Sequence, residues 1–218
     1  MTQAQYDSAL KDLERSRAEQ KACDDELAQL EEQLQSELSA TKEELEELRR
    51  QRAEVDQQFA DLTEKLQSLI DAGDLEVYMR RGLIMIGLPS QVLFPSGKAE
   101  LTPRGQKALE KIAGVLAEMQ DRRLQVVGHT DNEAIGEKLK KEFADNWELS
   151  TTRALTVTRF LIEKGVKPDN LSAAGHGEFD PVASNKTDKG KRKNRRIELV
   201  LVPDLSSLGK AAGAKKRK

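Results

Sequence analysis

The sequence predicts an α+β protein: a two-layer sandwich of the βαβαβ type, preceded by a long α-helical coiled-coil arm. All 14 glycines and all 6 prolines lie at or after residue 73, so the composition before that point favours a helix. In that first part, apolar residues recur every seven residues, whereas short strand-like and helical runs alternate after it. We therefore expect an amphipathic helix or coiled coil over residues 1–73, a globular domain over 74–204, and a flexible basic tail over 205–218.

The predicted arm carries an a/d seam of apolar residues, interrupted by polar residues such as Gln20 and Thr41. A single helix cannot bury such a stripe by itself. We expect the arm to form a parallel homodimer or to pack on a partner helix. A helix hairpin is the alternative, but the absence of glycine and proline argues against its turn. The two registers of the seam hold Leu13, Leu27, Leu34, Leu48, Val55, Leu62 and Leu69, and Leu10, Leu38, Leu45, Phe59 and Leu66.

The periodicity changes after Gly73, which is the expected C-terminal cap of the arm. Thr102-Pro103 is a helix start, with threonine as the cap and proline in the first turn. Ser150 is the expected cap of a second long helix that Gly165 closes. The apolar faces of these helices are expected at Ala108, Leu109, Ile112, Ala113 and Leu116, and at Ala154, Val157, Leu161 and Ile162. The expected strands are 75–79, 83–88, 124–127, 171–174 and 197–202, with a short helix at 187–193.

The net charge of −2 hides an acidic stretch over residues 26–47 and a basic stretch over 186–196, with a further basic group at 215–218. A basic patch indicates an anionic partner, which could be nucleic acid, acidic lipid or a carboxylate-bearing polymer. Only 4% of the residues are aromatic, so the stacking platforms of a nucleic-acid binder are missing. We expect no nucleic-acid partner.

The single cysteine, Cys23, excludes an intramolecular disulfide. The residues before it are Glu19, Gln20, Lys21 and Ala22 rather than an apolar signal region, so it is not a lipidation site, and we expect it to face a core. No apolar run approaches the roughly 20 residues of a membrane span, and no export signal is visible. Either an upstream segment is missing from this sequence, or the protein works where it is made.

Three stretches within residues 83–202 have a distinctive order and spacing: Phe94–Leu101; Gly128–Asp131 with Asn146–Ala154; and Gly175–Glu178 with Asn185–Thr187 and Asn194–Glu198. Together they resemble the OmpA-like domain of OmpA-type outer-membrane proteins, the lipoprotein Pal and the flagellar stator protein MotB. The segment Asn-Trp-Glu-Leu-Ser is closer to MotB than to Pal. MotB proteins also have a membrane helix with a proton-accepting aspartate, which this sequence lacks, so we expect no ion conduction.

The resemblance implies non-catalytic binding of peptidoglycan, at the diaminopimelate of the stem peptide. It also implies a periplasmic or envelope location, associated with the outer membrane or tethered to the inner one, and a membrane, motor or envelope protein as a further partner. Diaminopimelate ends in an ammonium and a carboxylate on one carbon. The family's acid matches Asp131 and its arginine matches Arg153, whose planar fork suits a carboxylate. The other implied ligand-binding residues are Thr130, Asn146, Arg195 and Gly97.

Each site residue also has a structural interpretation. Asp131 could cap its loop or pair with Arg153, and either Arg195 or Arg196 could brace Glu198 or Glu178. Asn146 could hold a loop, and Trp147 is expected in the core rather than as a sugar-stacking platform. His129 is expected to be buried, with no Cys or further His to complete a metal site with it. We expect no metal, no cofactor and no enzymatic activity.

Overall fold

The computed structural model describes residues 3–118, 123–137 and 139–202. The predicted tail at 205–218 lies outside these ranges. The chain divides into two compact units, residues 1–57 and residues 58–218.

Helix α1 covers Gln3–Asp71, which confirms that the arm is helical. It ends where Gly73 adopts a φ of +69°, and there the Gly73 and Asp74 amides donate to the carbonyls of Ile70 and Leu69. Within the first unit, the apolar residues of the seam are exposed to solvent in the single chain. Its leucines from Leu10 to Leu48 are 39–57% exposed, and Cys23 is exposed too, contrary to the expected core-facing position.

The last turns of α1 belong to the globular unit, which therefore begins earlier than the predicted limit at residue 74. Leu62, Leu66 and Leu69 are at most 5% exposed. Lys65 Nζ lies 2.5 Å from Glu118 Oε2, in an exposed ion pair. The part of the seam from Leu62 onward is therefore core of the globular unit.

A five-stranded sheet forms one layer of this unit, with the order β1-β2-β5-β3-β4. All neighbouring strands are antiparallel except β3 and β4, which are parallel. This architecture confirms the predicted α+β sandwich. The strands are β1 (Glu76–Arg80), β2 (Leu83–Pro89), β3 (Arg123–His129), β4 (Leu171–Gly175) and β5 (Arg196–Val202).

The helices of this unit are α2 (Ser90–Leu93), α3 (Pro103–Glu118), α4 (Asn146–Glu163) and α5 (Asp188–Asn194), and Pro168–Asn170 form a 3-10 helix. Thr102 caps α3 as predicted, since its Oγ1 accepts from Gly105 N at 2.9 Å. The five residues expected on the inner face of α3 are all buried. Neither α2 nor the 3-10 helix was predicted, because turns of three or four residues have no periodicity.

Helix α4 begins four residues before the expected cap, because Asp145 caps it by accepting from Glu148 N at 2.9 Å. The prediction for Ser150 is wrong: its hydroxyl lies inside the helix, donates to Trp147 O and accepts from Gly177 N. Ile162 is 37% exposed rather than inward. The other three expected inner residues of α4 are buried.

Helix α4 packs on β3 and β4 at very short range. A Cβ at Gly128 would lie 2.1 Å from Ser150 O, so only glycine allows this approach. The contact fixes the first half of α4 beside the end of β3. The loop after β3 and the side chains of α4 therefore meet at this edge of the sheet.

Candidate functional site

A cleft of about 680 Å³ opens at this edge, and its walls come from segments far apart in the chain. They include α2 and the loop after it, the loop after β3, the start of α4, and the residue before β5. All six of the predicted ligand-binding residues line the cleft: Gly97, Thr130, Asp131, Asn146, Arg153 and Arg195.

Asp131 is the buried acid of the cleft, at 4% exposure. Its Oδ2 accepts a hydrogen bond from Arg195 Nη1, and its Oδ1 accepts from Glu133 N at 3.2 Å. Thr130 Oγ1 donates to the Asp131 backbone carbonyl at 2.9 Å. The carboxylate thus does cap its loop, and its ion-pair partner is Arg195. The alternative of an Asp131–Arg153 pair is wrong.

Arg153 lies across the cleft, at 5% exposure, and is held from two sides. Its Nε donates to Lys98 O at 3.0 Å, and its guanidinium carbon lies 5.2 Å from the centre of the Phe94 ring. Burial, and then the positive charge of Arg195, lower its pKa to about 10, while Asp131 acts in the opposite direction. The group therefore stays protonated at neutral pH. Its two terminal nitrogens have no acceptor among the residues that the structure describes, so they can bind an anion.

Arg153 lies about two turns into α4, because the helix begins at Asn146 rather than after the expected cap, Ser150. At that depth the free amides of the helix N-terminus do not act on it, since their effect is confined to the first turn. Asn146 itself ties two loops together: its Nδ2 donates to Glu133 O at 3.0 Å and to Glu178 Oε2 at 2.8 Å. This is the loop-holding role weighed as its structural alternative. Gly97 has a φ of +71° in the opposite wall.

Arg196 and Arg195 have separate roles, as one of the alternatives predicted. Arg196 is buried, and its Nε donates to Glu198 Oε1 at 2.7 Å. The Tyr78 hydroxyl donates to the same oxygen at 2.6 Å. Burial opposes the ionisation of Glu198, but His129, Tyr78 and Arg196 outweigh it and hold its pKa well below the usual range. Beside the cleft, therefore, an ionised carboxylate is buried in the sheet.

His129 is buried next to this carboxylate, as expected, with Nε2 at 3.3 Å from Glu198 Oε2 but poorly aligned for a hydrogen bond. Burial lowers the pKa of its imidazole, so the ring is neutral at neutral pH. Contrary to the sequence argument, a second histidine is close by: His176 lies 5.2 Å away between ring centres.

These two histidines and Asp180 have ligand atoms within 4.8 Å of one another. Asp180, however, is bound by both terminal nitrogens of Arg80, and Arg196 Nη2 lies 3.9 Å from it. Two guanidinium groups therefore already neutralise this carboxylate. The expectation that the protein holds no metal stays a prediction.

The OmpA family model matches residues 93–195. Residues 93–195 are an OmpA-family domain. The matched range contains all six cleft residues, from Gly97 to Arg195, and leaves out α1, β1 and β2.

The OmpA-family domain has relatives among proteins of motility and of the cell wall. The chain is 37% identical to motility protein B of Bacillus subtilis over 130 residues, 59% of this chain and 49% of that protein. A crystal structure of a MotB-like protein from Desulfovibrio vulgaris matches with a TM-score of 0.63 and 29% identity, over 67% of this chain and 90% of that one. The cell wall anchor of the type VI secretion system from Pseudomonas aeruginosa matches with a TM-score of 0.58 and 28% identity, over 66% and 97%. The chain spans about half the length of the first curated relatives that it matches.

Parts of the site in the OmpA-family domain were not foreseen. Phe94 and the Lys98 carbonyl hold Arg153, and Glu178 holds Asn146. All three lie in the stretches that carry the resemblance, but nothing in their residue types indicates these contacts. None of the described helices has the length and apolar character that crossing a bilayer requires.

Proposed function

We propose that the OmpA-family domain binds peptidoglycan without catalysis, at the diaminopimelate of the stem peptide, and so anchors an envelope or motility-associated assembly to the cell wall. One observation carries the proposal. The cleft combines a buried carboxylate, Asp131, with two arginines, Arg153 and Arg195. The similarity to a cell wall anchor supports the same ligand.

The chemistry of the ligand end matches this set of charges. Its ammonium needs a carboxylate, and its carboxylate needs a guanidinium fork. Arg153 offers two terminal nitrogens to the carboxylate, while Asp131 offers its oxygens to the ammonium after exchanging Arg195 for the ligand. Arg195, whose side chain is 38% exposed, is then released toward the ligand's carboxylate or another one of the stem. A zwitterion thus replaces an internal ion pair without leaving a charge unpaired.

The same proposal locates the protein in the periplasm or cell envelope, tied to the outer or the inner membrane through a partner. An alternative function is that of a structural subunit that assembles through α1, with the wall contact as its anchor. The exposed leucines of the first unit favour assembly through α1, because they form an apolar stripe that one helix cannot bury by itself.

Cosedimentation with diaminopimelate-type sacculi tests the function itself. The full chain is expected to pellet with the sacculi and to remain in solution without them. Sacculi from which the stem peptides have been removed serve as the matched control. Equal pelleting with the stripped sacculi would contradict recognition of the stem.

The cleft is expected to prefer diaminopimelate stems over lysine stems. Lysine has the ammonium but no carboxylate beside it, so Arg153 would gain no partner. Sites built to pair a polar group discriminate strongly against ligands that lack it. Because Arg153 keeps its contacts with Phe94 and Lys98, we expect about a tenfold preference, or about 1.4 kcal/mol. Calorimetry with the two free stem peptides measures this. Equal affinities would mean that Arg153 has only a structural role.

The first unit is expected to make the protein a homodimer. Residues 1–73 should self-associate as a helix, whereas a chain that starts at residue 58 should be monomeric, because it keeps the core leucines Leu62, Leu66 and Leu69 but lacks the open stripe. Light scattering on both fragments and on the full chain at tens of micromolar measures this. Replacing Leu27 and Leu34 by Asn should dissociate the full-length dimer without altering the globular unit. A monomeric full-length chain would refute the dimer.

A further inference from the structure

We propose that Trp147 and Phe179 form a stacking platform for a sugar ring of the glycan strand that carries the stem peptide. The inference rests on the proposed function and extends it from the peptide to the glycan. It starts from a correction to the expectation that Trp147 lies in the core. Trp147 is 47% exposed and Phe179 is 67% exposed.

The two rings are ordered against each other. Their centres lie 5.3 Å apart with an angle of 25° between the planes, which is a stacked arrangement. They come from different segments, the first turn of α4 and the turn after β4. A hydrogen bond from Asn146 Nδ2 to the Glu178 carboxylate joins these two segments. Asn146 and Glu178 directly precede the two aromatic residues in the chain, so the bond helps to hold the rings together. The pair therefore presents a preformed apolar surface to solvent.

The aromatic pair lines a second hollow of about 250 Å³, which adjoins the cleft through shared lining residues. Ala134, Ile135 and Asn146 line both. In peptidoglycan the stem peptide is attached to a sugar, and diaminopimelate is its third residue. Three residues of extended chain span about 10 Å. A ligand with its diaminopimelate in the cleft must therefore have its sugar close by, and the adjoining hollow, which shares three lining residues with the cleft, offers a place for it.

The polar groups around the rings suit a sugar better than an apolar partner. Asp145 and Glu178 each use one carboxylate oxygen within the protein and keep a second one without a donor among the described residues. Aromatic faces accommodate the C–H groups of a pyranose, while carboxylates accept from its hydroxyls. Two rings are too small for a stable protein interface, which buries about 1,200 Å² or more. A pyranose covers an area of the size that these rings offer.

The test compares a disaccharide tetrapeptide with the free tetrapeptide, both containing diaminopimelate, by calorimetry on the full chain. We expect the disaccharide form to bind about tenfold more tightly. Trp147→Ala and Phe179→Ala should each bring the two affinities close together without altering that of the free tetrapeptide. Leu155→Ala, at a 38% exposed apolar residue of α4, is the control and should keep the difference. Since Trp147 is the only tryptophan, its fluorescence should shift with the disaccharide form and not with the free peptide.

The outcomes separate this inference from the proposed function. Equal affinities of the unaltered chain for both ligands would overturn the platform and leave stem binding intact. Absence of binding for both ligands would overturn the two proposals together. A preference for the disaccharide that survives in both aromatic variants would locate the glycan contact elsewhere and overturn the platform.

Discussion

Replacing Arg153 by alanine is expected to abolish pelleting with diaminopimelate sacculi. The substitution removes a cleft-lining guanidinium whose two terminal nitrogens have no acceptor among the described residues. The ligand carboxylate would then be partly desolvated without a partner, which costs about 2–5 kcal/mol. Calorimetry with the free stem peptide should give the same loss. Asp131→Ala should have a similar effect, because it leaves the ligand ammonium without a carboxylate and Arg195 without its ion-pair partner.

The controls must separate binding from folding, since Arg153 also packs on Phe94. Arg153→Lys keeps the positive charge and the aliphatic part of the side chain but loses the fork, so it should fold and bind weakly. Arg159→Ala removes an exposed arginine from the same helix and should bind normally. If Arg153→Ala is well folded by circular dichroism and still pellets like the unaltered chain, the site is wrongly assigned.

Replacing Glu198 by glutamine is expected to destabilise the globular unit by about 3 kcal/mol, because it leaves the buried Arg196 without its main counter-charge. The cost lies at the low end for a broken buried pair, since Asp180 remains 3.9 Å from Arg196. Tyr78→Phe removes one hydrogen bond to the same carboxylate and should cost about 1 kcal/mol. Urea unfolding followed by circular dichroism measures both. Glu76→Gln changes an exposed carboxylate in β1 and is the matched control.

The same carboxylate gives this stability a defined pH dependence. The pKa of Glu198 is lower in the folded protein than its ordinary value of 4.5, so the folded state binds this proton less readily than the unfolded state. The stabilisation that ionised Glu198 gives to the folded state is complete above its ordinary pKa of 4.5, and it is lost as the pH falls toward the pKa in the folded protein. The unaltered chain should therefore lose stability from about pH 4.5 downward, and Glu198→Gln should lose less over the same range. Parallel acid profiles for the two proteins would contradict this origin.

Much of the architecture was predictable because the strong signals in this sequence are local. The helical arm, the Thr102-Pro103 start and the alternating strands each depend on neighbouring residues, and each was predicted to within a few residues. The start of α4 was misplaced because Asp145 and Ser150 are both good caps. The choice between them depends on Gly177, whose amide requires the Ser150 hydroxyl. That contact joins residues 27 positions apart, which no local pattern contains.

The sequence indicated which residues lie together in the cleft, but not which hydrogen bonds and ion pairs they form. Three separated motifs contain all six of the predicted site residues, and all six line the cleft, because a resemblance indicates which residues lie together. The resemblance does not indicate which of these side chains pair with each other when no ligand is bound. Asp131 could have paired with either arginine, and in the structure it pairs with Arg195. The exposure of Trp147 was missed for a related reason: an apolar residue type indicates burial only on average.

The scattered origin of the cleft has a thermodynamic consequence. Since its walls come from segments between residue 90 and residue 195, no partly folded chain can form it. A ligand that binds only the native state stabilises that state by mass action, by about 2.7 kcal/mol when its concentration is 100 times the dissociation constant. Under the proposed function, the ligand is a stem peptide that the cell wall presents at high local density, so attachment to the wall would also make the domain more resistant to unfolding. An anchor of this kind would be hardest to unravel while it is attached.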